Sequence, residues 1–239
     1  MSGDRADAEH EVFADVPLSG RPEALYVLLA CLFVGALVVT NLIANKFISV
    51  HWFGKEFILS AGVLPYPLTF LITDFLSELY GRKRANRVVI GGFLASLLVL
   101  GTLWLGDQFP AIPDSTVGDE VYTQVFGNTW RVIGASMTAY LVAQMVDIRV
   151  FHFWRRLTKG KHLWLRNNAS TVFSQLLDSA LVVFVLFAGV WTPGQMLDVI
   201  LDLWLFKASV ALIDTPLFYL GVARIPRWLR GGKATGAQA

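Results

Sequence analysis

The sequence predicts an all-α integral membrane protein with six transmembrane helices. Three observations lead there. Of the 239 residues, 55% are hydrophobic and only 16% are charged, against roughly 45–50% and about 25% in soluble domains. Long uncharged stretches recur along the chain, each close to the about 20 residues a helix needs to cross a bilayer. The basic residues gather on alternate loops, as they do on the cytoplasmic side of membrane proteins. The single cysteine, Cys31, excludes an internal disulfide framework and any multi-cysteine metal site. The formal net charge of +2 says little about partners, whereas its distribution says a great deal.

Residues 1–23 carry six acids and two bases. A cleavable signal would need a basic start and a shorter apolar core, so this segment reads as an acidic cytosolic tail. The first span covers 24–45. Residues 47–59 are rich in β-branched and aromatic side chains around Gly54-Lys55, which predicts a short extracytoplasmic β-hairpin. The second span is expected over 57–80. Its Pro65 and Pro67 withhold backbone donors and favour an irregular, cavity-lining outer end. A third span covers 88–106. The stretch 107–128 has four acids, no base and Pro110, Pro113 and Gly118, and is expected to pack as a cap on the outer face.

The remaining spans cover 129–148, 168–190 and 198–222, with 24–222 forming one transport domain and 223–239 a basic, flexible cytosolic tail. The tails and the loops 81–87 and 149–166 together hold sixteen of the twenty Lys and Arg residues. Both termini are therefore expected in the cytoplasm. The loop 149–166 also carries Trp and His among its bases, but cytoplasmic retention explains that pattern and no nucleic-acid partner is expected.

Ionisable groups inside a span are costly and usually face the bundle interior or a water-filled cavity. In span two, Asp74 and Glu78 are i,i+4 neighbours; Glu78 lies close enough to the basic loop to pair with it, and Asp74 lies deeper. In span five, Asn167, Thr171, Ser174 and Asp178 form one helical stripe, widened by Gln175 and Ser179. Span six carries Lys207 and Asp214 about two turns apart. Lys207 is the only lysine deep in a span and needs a counterion, for which Asp178 and Asp74 are the candidates. In span four, Ala135, Ala139 and Ala143 make a small-residue face suited to helix packing or to a homodimer contact.

No P-loop, HExxH or GxSxG motif and no metal-spaced His/Cys cluster occurs, so neither an enzyme nor a cofactor or metal site is expected. Carboxylate, amide and hydroxyl groups inside a membrane suit a flat, hydrogen-bonding small molecule. A carboxylate's paired oxygens match the N1–H and exocyclic amine of a guanine-like edge. The spacing itself specifies a polar cavity and no particular ligand.

Certain runs narrow this. Asn41-Leu-Ile-Ala-Asn45-Lys46, the run from Pro67 through Asp74 and Glu78 to Gly81, and Arg84-Ala85 resemble the first half of the bacterial queuosine precursor transporter family. Arg166-Asn167-Asn168-Ala-Ser170, Gln175-Leu-Leu-Asp178-Ser179, Phe206-Lys207 and the run from Asp214 to Tyr219 resemble its second half. The resemblance implies a multi-pass inner-membrane importer of 7-cyano- or 7-aminomethyl-7-deazaguanine. It also implies a helix count and size similar to the substrate-binding components of energy-coupling-factor transporters. By matched position it implies substrate-binding roles for Asn41, Asn45, Lys46, Asp74, Glu78, Asn167, Ser170, Gln175, Asp178, Lys207 and Asp214. No nucleotide site is recognisable, so the protein either works alone or borrows an ATPase module. The alternative is a substrate-capturing subunit for another vitamin or nucleobase.

Overall fold

The computed structural model describes residues 19–52, 54–157 and 163–231. Helix α1 (Arg21–Ile43) opens after Gly20, with Pro22 in its first turn and Glu23 facing the positive end of the helix dipole. Strands β1 (Phe47–Trp52) and β2 (Lys55–Ser60) pair antiparallel, with Trp52 opposite Lys55. Gly54, at φ 77°, makes the turn between them, so the expected hairpin is present. Phe57 and Leu59 are buried while Ile58 between them is exposed, the period-two alternation of a strand with one covered face.

A single 3₁₀ turn, Ala61–Val63, follows. It is tied to the end of α1: the Ser60 hydroxyl donates to the Ala44 carbonyl at 2.7 Å, and the Ala61 amide donates to the Lys46 carbonyl at 2.7 Å. Helix α2 (Tyr66–Tyr80) therefore begins only at the prolines, which sit at its N-terminus where a missing N–H costs nothing. This corrects the expected second span of 57–80, whose first residues belong to β2 and to the 3₁₀ turn. The cause is the pair Pro65 and Pro67, which start a helix rather than interrupt one. At 15 residues α2 is only about 22 Å long.

Gly81 alone separates α2 from α3 (Arg82–Gly106). Its φ of 80° and ψ of 157° lie where essentially only glycine goes. A short helix, α4 (Asp119–Phe126), lies within the stretch 107–128. It is fastened to the end of α3 by the Tyr122 hydroxyl on the Leu103 carbonyl and by Thr123 on Asp107. Helices α5 (Thr129–Leu157), α6 (Leu163–Phe187) and α7 (Pro193–Gly231) complete the chain.

Two expected loops shrink. Helix continues to Leu157 and resumes at Leu163, so most of the basic segment 149–166 is helical. Likewise α7 runs past Val222 to Gly231, so the first part of the expected flexible tail is helical. Hydropathy marks where a chain leaves hydrocarbon, whereas Arg, Leu and Lys remain good helix formers outside it.

The chain divides into two compact units: one made of the chain up to Val39, Pro65–Ser96 and the chain from Ala211, the other of Thr40–Leu64 and Leu97–Val210. In the first, Phe33, Ile72, Leu76, Leu79, Tyr80, Ala85 and Val88 form the core. The Tyr80 hydroxyl donates to the Pro22 carbonyl at 2.8 Å, and its ring meets that of Tyr26 edge-on at 5.2 Å. In the second, α5 and α6 pack closely, and Leu59, Ala135, Ala139, Val183, Val199 and Leu203 are buried. Ala135 and Ala139 are fully covered, so this small-residue face is used for packing within the chain.

Among the described residues, many large apolar side chains on the helices are exposed, including Val27, Leu28, Leu32, Ile90, Leu94, Leu98, Phe184, Leu212 and Leu217. Arg21–Ile43 and Lys83–Gly106 are long and apolar enough to cross a membrane. Helices apolar on their outward faces as well as inward belong in lipid rather than water.

Candidate functional site

In the second unit two helix faces carry polar groups that are buried instead of outward-pointing. On α6 they are Ser174, Gln175, Asp178 and Ser179, which recur at the three- and four-residue intervals of one helical stripe. On α7 they are Asp202 and Lys207, set among the buried Val199, Leu203 and Phe206. The two helices are joined by the Trp204 indole N–H, which donates to the Val172 carbonyl at 2.9 Å. They are joined more strongly by Lys207 Nζ, which donates to Asp178 Oδ2 at 2.7 Å.

The exposures of these side chains decide how to read that pair: 8% for Lys207 and 11% for Asp178. Removing two charges from water costs several kcal/mol per ion, and their attraction offsets this only when both are present and well placed. An ammonium can donate three hydrogen bonds and a carboxylate can accept about four. Their mutual bond takes up one donor position of the ammonium and one acceptor position of the carboxylate.

A second pair lies one and a half turns earlier on α7. Lys55 Nζ donates to Asp202 Oδ1 at 2.5 Å, and the Ile58 amide donates to Oδ2 at 3.1 Å. One carboxylate thus grips both a side chain and the backbone of β2, clasping the hairpin to α7. Lys55 Nζ also sits 4.7 Å from the centre of the Phe57 ring. Asp202 and Lys55 were not among the predicted site residues. Their signal was available in an acid within an apolar stretch and in the lysine of the hairpin turn.

Of the predicted residues, Gln175, Asp178 and Lys207 come together on the facing stretches of α6 and α7. Asn41, in the same unit, is buried at 2% exposure, while Asn45 and Lys46 are exposed at the entry to the hairpin. The side chains of Asn167 and Ser170 lie outside the described residues. Asp74, Glu78 and Asp214 belong to the first unit. There Asp74 is exposed and Glu78 half-buried, off the α2 face formed by Ile72, Leu76 and Leu79, and Asp214 is half-buried on α7.

Among the described residues, Ser179 Oγ, Thr129 Oγ1 and Thr40 Oγ1 are buried without a protein hydrogen-bond partner. An apolar recess of about 440 Å³ between the end of α3 and α4, lined by Leu97, Trp104, Tyr122 and Trp130, contains none of the predicted residues. No group of three or more His, Cys, Asp or Glu able to hold a metal ion occurs among the described residues.

Apolar outward faces combined with a charge pair enclosed between helices define a helical membrane protein. Residues 60–221 match the family described as "Putative vitamin uptake transporter". The chain is 32% identical over 192 residues to the "Probable queuosine precursor transporter" of Bacillus subtilis, covering 80% of this chain and 82% of that one. It is 24% identical over 158 residues to the queuosine precursor transporter of Escherichia coli, covering 64% of this chain and 67% of that one. A Haemophilus influenzae relative of similar name is 26% identical over 163 residues, 64% of this chain and 63% of its own length. No solved structure matches the chain.

The chain belongs to the vitamin uptake transporter family, and is a transporter rather than an enzyme. The family-matched segment includes the Asp178–Lys207 pair, Asp202 without its partner Lys55, and Asp74, Glu78 and Asp214.

Proposed function

We propose that this protein imports queuosine precursors, 7-cyano- or 7-aminomethyl-7-deazaguanine, across the bacterial inner membrane. Six spans carry the transport domain, provided by α1, α2 with the segment before it, α3, α5, α6 and α7, and both termini face the cytoplasm. The sixteen basic residues on one side support that orientation. The names of the relatives support the substrate.

The observation that carries the site is the buried Asp178–Lys207 pair. Asp178 takes the donor edge of the deazapurine, its two oxygens matching the ring N–H and the exocyclic amine. Lys207 holds that carboxylate charged and oriented, or faces the O6 carbonyl. Ser174 and Gln175 supply further polar contacts from the same stripe, and the buried Ser179 hydroxyl gains a partner that it lacks among the described residues. Asn41, Asn45, Lys46, Asn167 and Ser170, and separately in the first unit Asp74, Glu78 and Asp214, are the further residues to which we assign substrate contacts.

The test is uptake of labelled 7-cyano-7-deazaguanine into liposomes containing only the purified chain, with and without a pH gradient. Saturable uptake that excess guanine does not abolish supports the reading, and Asp178→Asn should then lower it at least about tenfold. Normal transport by folded Asp178→Asn would remove Asp178 from the site. Tight binding without uptake would instead identify a capture subunit that works with a separate ATPase.

A further inference from the structure

Three charged side chains are buried among the described residues: Asp178, Asp202 and Lys207. Each carboxylate has one ammonium on it, Lys207 on Asp178 and Lys55 on Asp202. Each pair is electroneutral as a pair, but only the Asp178–Lys207 pair has both of its charges enclosed, since the Lys55 side chain is 53% exposed. Asp202 is committed through both oxygens, one to Lys55 and one to the Ile58 amide. A ligand at the first pair thus meets a carboxylate whose charge is already balanced.

That balance bears on which ligands bind. An isolated carboxylate inside a membrane protein is a site for cations, because the cation supplies the missing charge. With Lys207 at 2.7 Å from Asp178, an arriving cation brings a third charge into a low-dielectric place where two already cancel, and its own desolvation goes uncompensated. An uncharged ligand loses only its hydrogen bonds to water, which the pair, Ser174 and Gln175 can replace.

We propose that Lys207 is the specificity-determining residue of the site: by neutralising Asp178 it makes the transporter select uncharged, flat, hydrogen-bonding heterocycles over cationic analogues of the same shape. This rests on the reading of Asp178 and Lys207 as the substrate site. It goes further in ranking the two precursor forms, since the cyano form is uncharged while the aminomethyl form carries an alkylammonium at neutral pH.

The experiment is equilibrium binding of both forms to the purified full chain in detergent. The wild-type protein should bind the cyano form at least about tenfold more tightly, a difference of about 1.4 kcal/mol. Lys207→Met should move the ratio about tenfold or more toward the aminomethyl form. The charge-swapped Asp178→Lys/Lys207→Asp variant, electroneutral again, should return toward the wild-type ratio. Equal wild-type affinities, or a Lys207→Met variant that weakens both forms in proportion, would overturn the proposal while leaving the site intact. The wild-type ratio decides even if Lys207→Met does not fold. Binding of neither form to the wild-type chain would overturn the functional reading itself.

Discussion

Asp178→Asn and Asp202→Asn each remove one carboxylate from one ion pair, yet the first should destabilise the protein far more. The difference lies in the ammonium left behind. The Lys207 side chain is 8% exposed, that of Lys55 53%. Neutralising Asp178 leaves the Lys207 charge enclosed without its balancing counterion, and breaking a buried pair from one side costs about 3–5 kcal/mol. Neutralising Asp202 lets Lys55 turn into solvent, and the substituted amide oxygen still accepts the Ile58 N–H. That loss is about 1 kcal/mol, the net worth of one hydrogen bond.

The expected gap is thus about 2 kcal/mol or more, about thirtyfold in the unfolding equilibrium. Unfolding of the purified chain by SDS in mixed micelles, followed by tryptophan fluorescence, measures it directly. The double variant Asp178→Leu/Lys207→Met should regain more than half of the loss, because two apolar groups replace a charge that has no balance. An Asp202→Asn variant as unstable as Asp178→Asn would refute the argument from burial. So would a double variant no better than the single one.

Three further outcomes follow from other parts of the molecule. Gly81→Ala puts a Cβ on a backbone at φ 80°, ψ 157° and should cost about 1–3 kcal/mol in the same titration. Ala139→Leu forces extra methylenes into a position with 0% exposure; it should cost about 1–3 kcal/mol, whereas Gly134→Leu, at an exposed position of the same helix, should not. Cys31, the only cysteine, is exposed on α1. If that surface faces lipid, a membrane-impermeant maleimide should leave it unlabelled in intact membranes and label it after SDS, because a polar, charged reagent does not enter hydrocarbon. Rapid labelling in intact cells would place that face in water.

Much of this was legible in the sequence, and the exceptions share a cause. The hairpin could be read because β-branched and aromatic residues flank a glycine with no helical stripe to compete. The counterion of Lys207 could be narrowed to two carboxylates, since an ammonium enclosed in apolar chain must have one, and the structure selects Asp178. Helix ends were misplaced wherever hydropathy and helix formation part company. Leu157 and Gly231 end helices that outrun their apolar stretches, and Tyr66 begins one inside an apolar stretch. Asp202 went unpredicted because its partners, Lys55 and the Ile58 amide, are about 145 residues away in sequence, and no local pattern reports a contact of that range. The outward position of Asp74 was equally hidden, since its i,i+4 relation to Glu78 fixes a shared face but not what that face meets.

The one-residue joint at Gly81 has a consequence for how the chain is put together during synthesis. Alone, α2 spans about 22 Å and falls short of a hydrocarbon core about 30 Å thick. Its neighbour α3, at 25 residues, is ample. Because nothing but Gly81 separates them, neither helix can leave the insertion machinery much before the other. Their apolar faces, Leu76 and Leu79 on one and Ala85 and Val88 on the other, belong to one core. Under the proposed six-span topology the two enter the bilayer together, and the short helix borrows from its partner the length it lacks.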